Sequence, residues 1–402
     1  MFSSYVLNIL LRALIAVFQV SSFLLISTFL DISEIANYSL YTAILGYSVI
    51  FGNLNIYLPL CLKLMQGNYS SGEVVIRYFF FVRYFWLIAF PVALYLYYIL
   101  MPSSAWIVLF ALNLILFLLN SFTENLLFAS KMPVKSSLLV LSRGAWFIPV
   151  SVFLFFNGSI DVLNIISVNL LLEFFLFIYS ARYIRRIYRK SELNIIGCWD
   201  TLWPIIRSGF SYTLIGLLLL ASLYGPRFAL EHYFDMSIAG AFYVLYSLVS
   251  IPAIILESGV FSVILPRLAK EMTGHVLRLY FIITLVCVVA LLLYYFSLYF
   301  MVDLIYSFFG KSSAVPSDLL FFVYTAFGVL YFILRSYHHY LYSRGMHVIL
   351  LIGYFFGAFF SLLSYGFTIE SFGLMGAGYA LFVFAIVTIS VFSFSHLTRL
   401  KI

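Results

Sequence analysis

Twelve apolar runs divide this 402-residue chain, approximately over 5–28, 37–61, 75–99, 104–128, 138–157, 161–181, 205–227, 238–262, 278–302, 318–341, 347–367 and 373–396. Each can cross about 30 Å of hydrocarbon as a helix, which takes roughly 20 residues. Inside a bilayer every backbone N–H and C=O must be satisfied by the chain itself, so a spanning segment is a helix or part of a closed barrel. No stretch alternates apolar and polar residues as a barrel strand does. The expected fold is therefore an all-α polytopic membrane protein with twelve transmembrane helices. Composition agrees: 64% of residues are hydrophobic and 9% charged, against about a quarter charged in soluble domains. The first run is too long for a signal-peptide core and lacks a small-residue cleavage site, so it reads as a retained helix.

The net charge of +7 is a topology signal and not a nucleic-acid one. Lys63, Lys131, Lys135, Arg182, Arg185, Arg186, Arg189, Lys190, Lys270 and Arg344 all fall in alternate gaps. The other gaps hold Asp31, Glu34, Asp161, Glu231, Asp235, Asp303 and Glu370, with Lys311 and Arg227 as basic exceptions. By the positive-inside bias both termini are expected in the cytoplasm. The three cysteines, Cys61, Cys198 and Cys287, are too scattered to define a disulfide framework or a metal site.

A half-length repeat organises the runs. Leu30-Asp31-Ile32-Ser33 returns as Phe234-Asp235-Met236-Ser237, and each copy opens an aromatic-rich run that closes near a proline, Pro59 or Pro266. Each half has an even number of runs, so both start on the same side. The halves are then related by a pseudo-twofold axis along the membrane normal, as in transporters with parallel repeats. The expected units are a six-helix lobe over 1–181, a cytoplasmic linker over 182–204 and a second six-helix lobe over 205–402. The linker carries Arg182-Tyr183-Ile184-Arg185-Arg186-Ile187-Tyr188-Arg189-Lys190. It is either a plain topogenic segment or an interfacial helix against anionic headgroups.

Ionisable residues inside the runs mark candidate sites, because a charge at the bilayer centre costs at least about 2.5 kcal/mol. They are Arg12, Arg83, Arg143, Arg335, Glu124, Glu173 and Glu257, with Arg227 near an outer end. A guanidinium carries a fixed charge and a planar fork suited to phosphate, so the arginines are candidate substrate ligands. The three glutamates either pair with them or carry a coupling H⁺ or Na⁺. Asn53 and Asn120 are candidates for glycan hydroxyls, against the simpler reading of helix–helix hydrogen bonds. His338 and His339 are adjacent, so they point apart on a helix and are expected at the membrane interface, without a metal.

Enzyme signatures fail. Gly310-Lys311-Ser312 resembles the end of a phosphate loop, but Ile305 stands where the first glycine belongs. Gly373, Gly376 and Gly378 lack a preceding strand, and helix packing accounts for them. No long outer gap is present to hold catalytic residues, so an enzyme is not expected.

The segment Leu30-Asp31-Ile32-Ser33-Glu34-Ile35-Ala36-Asn37-Tyr38-Ser39 resembles the acidic-loop-to-second-helix region of bacterial polysaccharide flippases. The more specific match runs from Arg227-Phe228-Ala229-Leu230-Glu231-His232-Tyr233-Phe234-Asp235-Met236-Ser237-Ile238-Ala239-Gly240-Ala241-Phe242-Tyr243 to Pro266-Arg267-Leu268-Ala269-Lys270. It departs from the pattern at Ala241, where many relatives carry glycine. The chain thus resembles the O-antigen and capsule-repeat flippases of the multidrug, oligosaccharidyl-lipid and polysaccharide exporter superfamily. That resemblance implies a bacterial inner-membrane protein with a cationic central cavity. Its cargo would be an undecaprenyl-diphosphate-linked glycan, passed to a polysaccharide polymerase and a chain-length regulator. Arg12, supported by Arg83 and Arg143, would catch the pyrophosphate. Three alternatives stay open: a drug/cation antiporter of the same superfamily, which predicts an acidic cavity; a membrane polymerase or acyltransferase acting on lipid-linked sugars; and a non-transporting scaffold.

Overall fold

The computed structural model describes residues 2–100, 106–189, 198–270, 274–309 and 315–399. All of its regular structure is helical. The elements are α1 (Phe2–Phe29), α2 (Ile32–Asn53), α3 (Tyr57–Met65), α4 (Ser71–Leu100), α5 (Ile107–Ala129), α6 (Pro133–Gly144), α7 (Phe147–Asn157) and α8 (Val162–Tyr188). The second half continues with α9 (Cys198–Tyr233), α10 (Met236–Lys270), α11 (Gly274–Phe308), α12 (Asp318–Ser343) and α13 (His347–Ser364). A π-helical turn at Tyr365–Ile369 leads into α14 (Glu370–Phe372) and α15 (Leu374–Arg399).

Each of the twelve expected runs is largely helical among the described residues. Among the described residues nine helices are long and apolar enough to span alone. Two bent pairs raise that to eleven, α2 with α3 at 67° and the two parts of α4 at 58°. The twelfth is α1. The helices also run further than the apolar runs do. Helix α8 continues through Arg182, Arg185 and Arg186, and α9 starts at Cys198, so the described part of the expected linker is helical.

The repeated Asp-x-Ser segments are helix starts. Asp31 N–H donates to Glu34 Oε2 at 3.2 Å at the head of α2. Asp235 Oδ1 accepts from the Ile238 N–H at 2.9 Å and the Ser237 hydroxyl at 2.6 Å at the head of α10. At α2 the Glu34 carboxylate thus reaches back to the Asp31 N–H, and at α10 Asp235 places a short acceptor against N–H groups that lack an intrahelical partner. Asp161 caps α8 and Ser317 caps α12 in the same way.

Helix packing expresses the repeat. Helices α1 to α8 pack chiefly among themselves, through α1 on α6 and α5 on α6 and α8. Helices α9 to α15 do likewise, through α12 and α13 on α15, α10 on α12, and α9 on α13. The seam between the halves joins α2 to α10, α1 to α10 and α2 to α9. In repeat terms α2 and α10 are equivalent, and the α1–α10 and α9–α2 contacts exchange with each other. That is the pattern a twofold axis along the bundle imposes. Around the perimeter, α11 presents Leu285, Leu292, Leu293, Phe296 and Leu304 outward, each more than half exposed. Such a face suits lipid.

Candidate functional site

A break in the second span shapes the seam. Leu54 and Asn55 both have φ of 43°, a left-handed conformation that costs a non-glycine residue about 1–3 kcal/mol. Hydrogen bonds brace it. Asn55 Nδ2 donates to the Tyr212 carbonyl oxygen of α9 at 3.1 Å, and Tyr78 of α4 donates to Asn53 Oδ1. Helix α9 comes close because it presents glycine there. A Cβ on Gly209 would stand 3.1 Å from Ile56 Cα, and one on Gly216 3.0 Å from the Ile50 side chain.

Beside this break lies a cavity of 370 Å³. The first half contributes Asn55, Tyr57 and Cys61 next to the break, Glu124, Asn125 and Phe128 of α5, and Ser136 of α6. The second half contributes Tyr212 and Gly216 of α9, Glu257 and Leu265 of α10, and Arg335, His338, His339 and Tyr342 of α12. It sits toward the end of the bundle that carries the basic loops: Arg335 precedes the end of α12 by roughly 12 Å at 1.5 Å per residue.

Its charged centre is one carboxylate oxygen. Glu257 Oε1 accepts from Arg335 Nε at 2.8 Å and from His339 Nε2 at 2.9 Å, and Arg335 Nη2 lies 2.7 Å away. The side chains of Arg335 and Glu257 are 18% and 10% exposed. His338 turns the other way, its Nδ1 3.0 Å from the Tyr354 hydroxyl of α13. Residues 335, 338, 339 and 342 follow helical spacing, which aligns them on one side of α12.

The sequence candidates separate into groups. Arg335, Glu257 and Glu124 come to the same cavity. Asn120 does not; its Nδ2 donates to Glu173 Oε2 at 2.6 Å and to the Glu173 carbonyl at 2.9 Å, tying α5 to α8 inside the first half. Asn53 is buried against Tyr78. Both side chains bond to neighbouring helices. Arg227 lies outside the cavity, buried in the seam, with Tyr224, Phe242, Tyr243 and Tyr246 around its guanidinium at 4.5–5.9 Å. The side chains of Arg12, Arg83 and Arg143 lie outside the described residues, as does Gly310-Lys311-Ser312.

His338 and His339 both line the cavity, and Glu257 of α10 reaches His339. The described lining holds Glu124, Glu257 and Arg335 as its acidic and guanidinium groups. The signal for His339 was present, four residues beyond Arg335 and hence one turn along the same face. What the sequence lacks is the position of Glu257 on another helix.

A second cavity, 380 Å³, lies between α1, α2, α6 and α10. Ile15, Phe23, Trp146, Ile251 and Ile254 make it largely apolar, with Gln19, Ser22, Tyr38 and Tyr243 as polar members.

No protein-family profile matches the chain, and no curated protein matches it. Solved structures do match, over nearly the whole length. A MATE transporter in complex with MaL6 gives a TM-score of 0.70 at 11% identity, covering 98% of this chain and 95% of that one. An outward-facing multidrug resistance MATE family transporter of the MOP superfamily gives 0.67 at 12%, covering 98% and 94%. The Vibrio cholerae MATE transporter VcmN gives 0.65 at 12%, covering 100% and 96%. The fold is that of the MATE transporters. In it the seam between α2, α9 and α10 divides two lobes, and the charged cavity sits between them.

Proposed function

We propose that this chain is an alternating-access membrane transporter that exports amphipathic organic cations against a small coupling cation. The observation that carries the reading is the lining of the seam cavity, where Glu124 and the Glu257–Arg335 pair stand among Tyr57, Phe128, Tyr212 and Tyr342. Aromatic faces attract cations through their quadrupole, and a carboxylate out of bulk water holds one more strongly than it does in water. The multidrug transporters that share the fold support the same direction. Lobes that rock about a midplane site expose it to each side in turn. The positive-inside bias puts the basic end, and with it the cavity, on the cytoplasmic side of a plasma membrane.

A second reading has its own observations. The resemblance to polysaccharide flippases, the arginines on α1, α4 and α6, and the apolar cavity between α1 and α10 fit a lipid-diphosphate-linked glycan whose tail stays beside α1. Arg12, Arg83 and Arg143 would then meet the diphosphate, and a polymerase and chain-length regulator would act downstream.

Purified protein in sealed vesicles tests both. One arm follows ethidium efflux under an imposed H⁺ or Na⁺ gradient. The other follows the leaflet of a fluorescent undecaprenyl-diphosphate sugar. Gradient-driven ethidium efflux supports the first reading, flipping without efflux supports the second, and neither activity would sink both.

A further inference from the structure

We infer that the C-terminal end of α8 binds an anionic diacyl phospholipid of the leaflet at the basic end of the bundle, its phosphate held by Arg182, Arg185, Arg186 and Arg189. This face lies outside the seam, and the inference does not depend on the cargo.

The register of the arginines is the first observation. They stand at i, i+3, i+4 and i+7, a spacing that puts them on one side of a helix, and all four are exposed. The helical geometry holds to the last of them, since the Arg189 N–H bonds to the Arg185 carbonyl oxygen. The other side of the same two turns is apolar. Ile184 is buried, and Tyr183 and Ile187 pack around it in a cluster with Ile205 of α9. A purely topogenic segment needs positive charge in the right loop and is indifferent to the side of the helix that carries it.

Among the described residues none of the four guanidinium groups has a carboxylate partner. Glu173, the acid that precedes them on α8, is buried on the opposite side and bonded to Asn120. The turn between α5 and α6 adds further positive charge. Tyr183 donates to Met132 Sδ at 3.8 Å, which brings that turn, with exposed Lys131 and Lys135, beside α8.

The stripe also lies at headgroup depth. Asp161 caps the far end of α8. At 1.5 Å per residue Arg182 stands about 30 Å from Val162, the thickness of the hydrocarbon core. Arg189 is roughly 10 Å further on, so the four arginines cross a headgroup layer about 5–7 Å deep.

Deeper in the membrane the same side of α8 suits an acyl chain. Leu171, Phe175 and Tyr179 are 55%, 58% and 42% exposed, and steps of three and four residues carry this ridge into Arg182 and Arg186. A guanidinium offers a planar fork of N–H donors to the free oxygens of a phosphodiester. Residues four apart have Cβ atoms about 5–6 Å from each other, so Arg182 and Arg186 can share one phosphate. A zwitterionic lipid brings an ammonium group that the stripe repels, and a soluble phosphate gains nothing from the ridge. Charge and ridge together select an anionic phospholipid.

The test titrates full-length protein in detergent, by native mass spectrometry, with phosphatidylglycerol and with phosphatidylcholine of the same acyl chains. Phosphatidylglycerol should bind the more tightly. Each arginine at a headgroup layer contributes about fivefold, so the Arg182→Gln/Arg186→Gln variant should bind phosphatidylglycerol about twenty-five-fold more weakly. Its affinity for phosphatidylcholine should not change, whereas a folding defect would lower both. Arg182→Lys/Arg186→Lys should recover most of the loss. Arg344→Gln removes an exposed charge from a basic loop of the other half and should have no effect. Equal affinity for the two lipids, a preference that survives the double glutamine variant, or one that falls as far in Arg344→Gln would each overturn the site. Glycerol phosphate, the headgroup without its tails, should fail to displace the lipid even in large excess. Displacement would show that the arginines serve a soluble anion and would overturn the lipid assignment.

Discussion

Arg227 of α9 donates from Nη1 to the Ser39 hydroxyl of α2 at 2.5 Å, and to the Ser39 carbonyl oxygen at 3.3 Å. The bond crosses the seam near the acidic end of the bundle, away from the charged cavity. Arg227 is 2% exposed, and its guanidinium lies 4.5 Å from the Tyr224 ring and 4.9 Å from that of Tyr243. No carboxylate accompanies it among the described contacts, so rings and hydroxyl take the place of a counter-ion. The arrangement ties α9 to α2, because separating the two helices here must pull Ser39 from Arg227.

Arg227→Ala should therefore destabilise the protein by about 1.5–3 kcal/mol, the usual worth of a hydrogen bond to a charged group. Arg227→Lys should fall between the two, since an ammonium keeps the charge and loses the planar fork. Thermal melting in detergent reads both. An Arg227→Ala variant that melts with the wild type would show that the tie contributes nothing to stability.

The Glu257–Arg335 pair makes a second prediction. Losing one partner of a buried ion pair leaves a charge without compensation and typically costs about 3–5 kcal/mol; with partial exposure here, the lower end applies. Glu257→Gln and Arg335→Gln should each lower the melting temperature. The double variant should recover part of the loss, with a coupling energy of about 1 kcal/mol or more. Additive losses would mean that the two side chains act independently.

Backbone contact between the repeated segments gives a third. A Cβ on Gly240 would overlap the carbonyl oxygen of Ile32, so α2 and α10 touch main chain to main chain where the two Asp-x-Ser starts meet. A rotamer change cannot relieve that overlap. Gly240→Ala should cost about 1–3 kcal/mol as overpacking, and more than Gly46→Ala, whose Cβ would meet only the Leu220 side chain at 3.6 Å. Equal melting temperatures for the two variants would contradict the close approach.

Much of the fold was legible because the bilayer reduces it to lengths. Runs of about twenty apolar residues, charges in alternate gaps and an echoed Asp-x-Ser motif lead to twelve helices and a twofold arrangement without any long-range contact. The breaks in the second and third spans were not legible. The left-handed pair at Leu54 and Asn55 carries no glycine or proline, and it persists through Asn53 and Asn55 bonds to distant helices. The site was half legible. A lone glutamate and a lone arginine in apolar runs flagged Glu257 and Arg335, since each is costly in isolation. That they meet depends on how α10 lies on α12, which is a packing outcome. Asn120 and Glu173 gave the same kind of signal and turned out to bind each other inside one lobe. Intramembrane polarity marks that a partner exists and does not say whether the partner is cargo or protein.

Acid should act on the head of α10. The Asp235 carboxylate accepts hydrogen bonds from the Ser237 hydroxyl and the Ile238 N–H, and these hold its carboxyl below the usual aspartate range. A depressed folded-state value means that the contribution to stability is fully present above the unfolded value, about 3.9. It is lost as pH falls through the folded value. Asp235→Asn keeps a capping oxygen and removes the ionisation. Wild type and Asp235→Asn should therefore differ most near neutral pH and converge below about pH 4. Melting curves in detergent across that range make the comparison. A gap that stays constant down to low pH would show that the carboxylate's charge contributes nothing to holding α10 in register against α2.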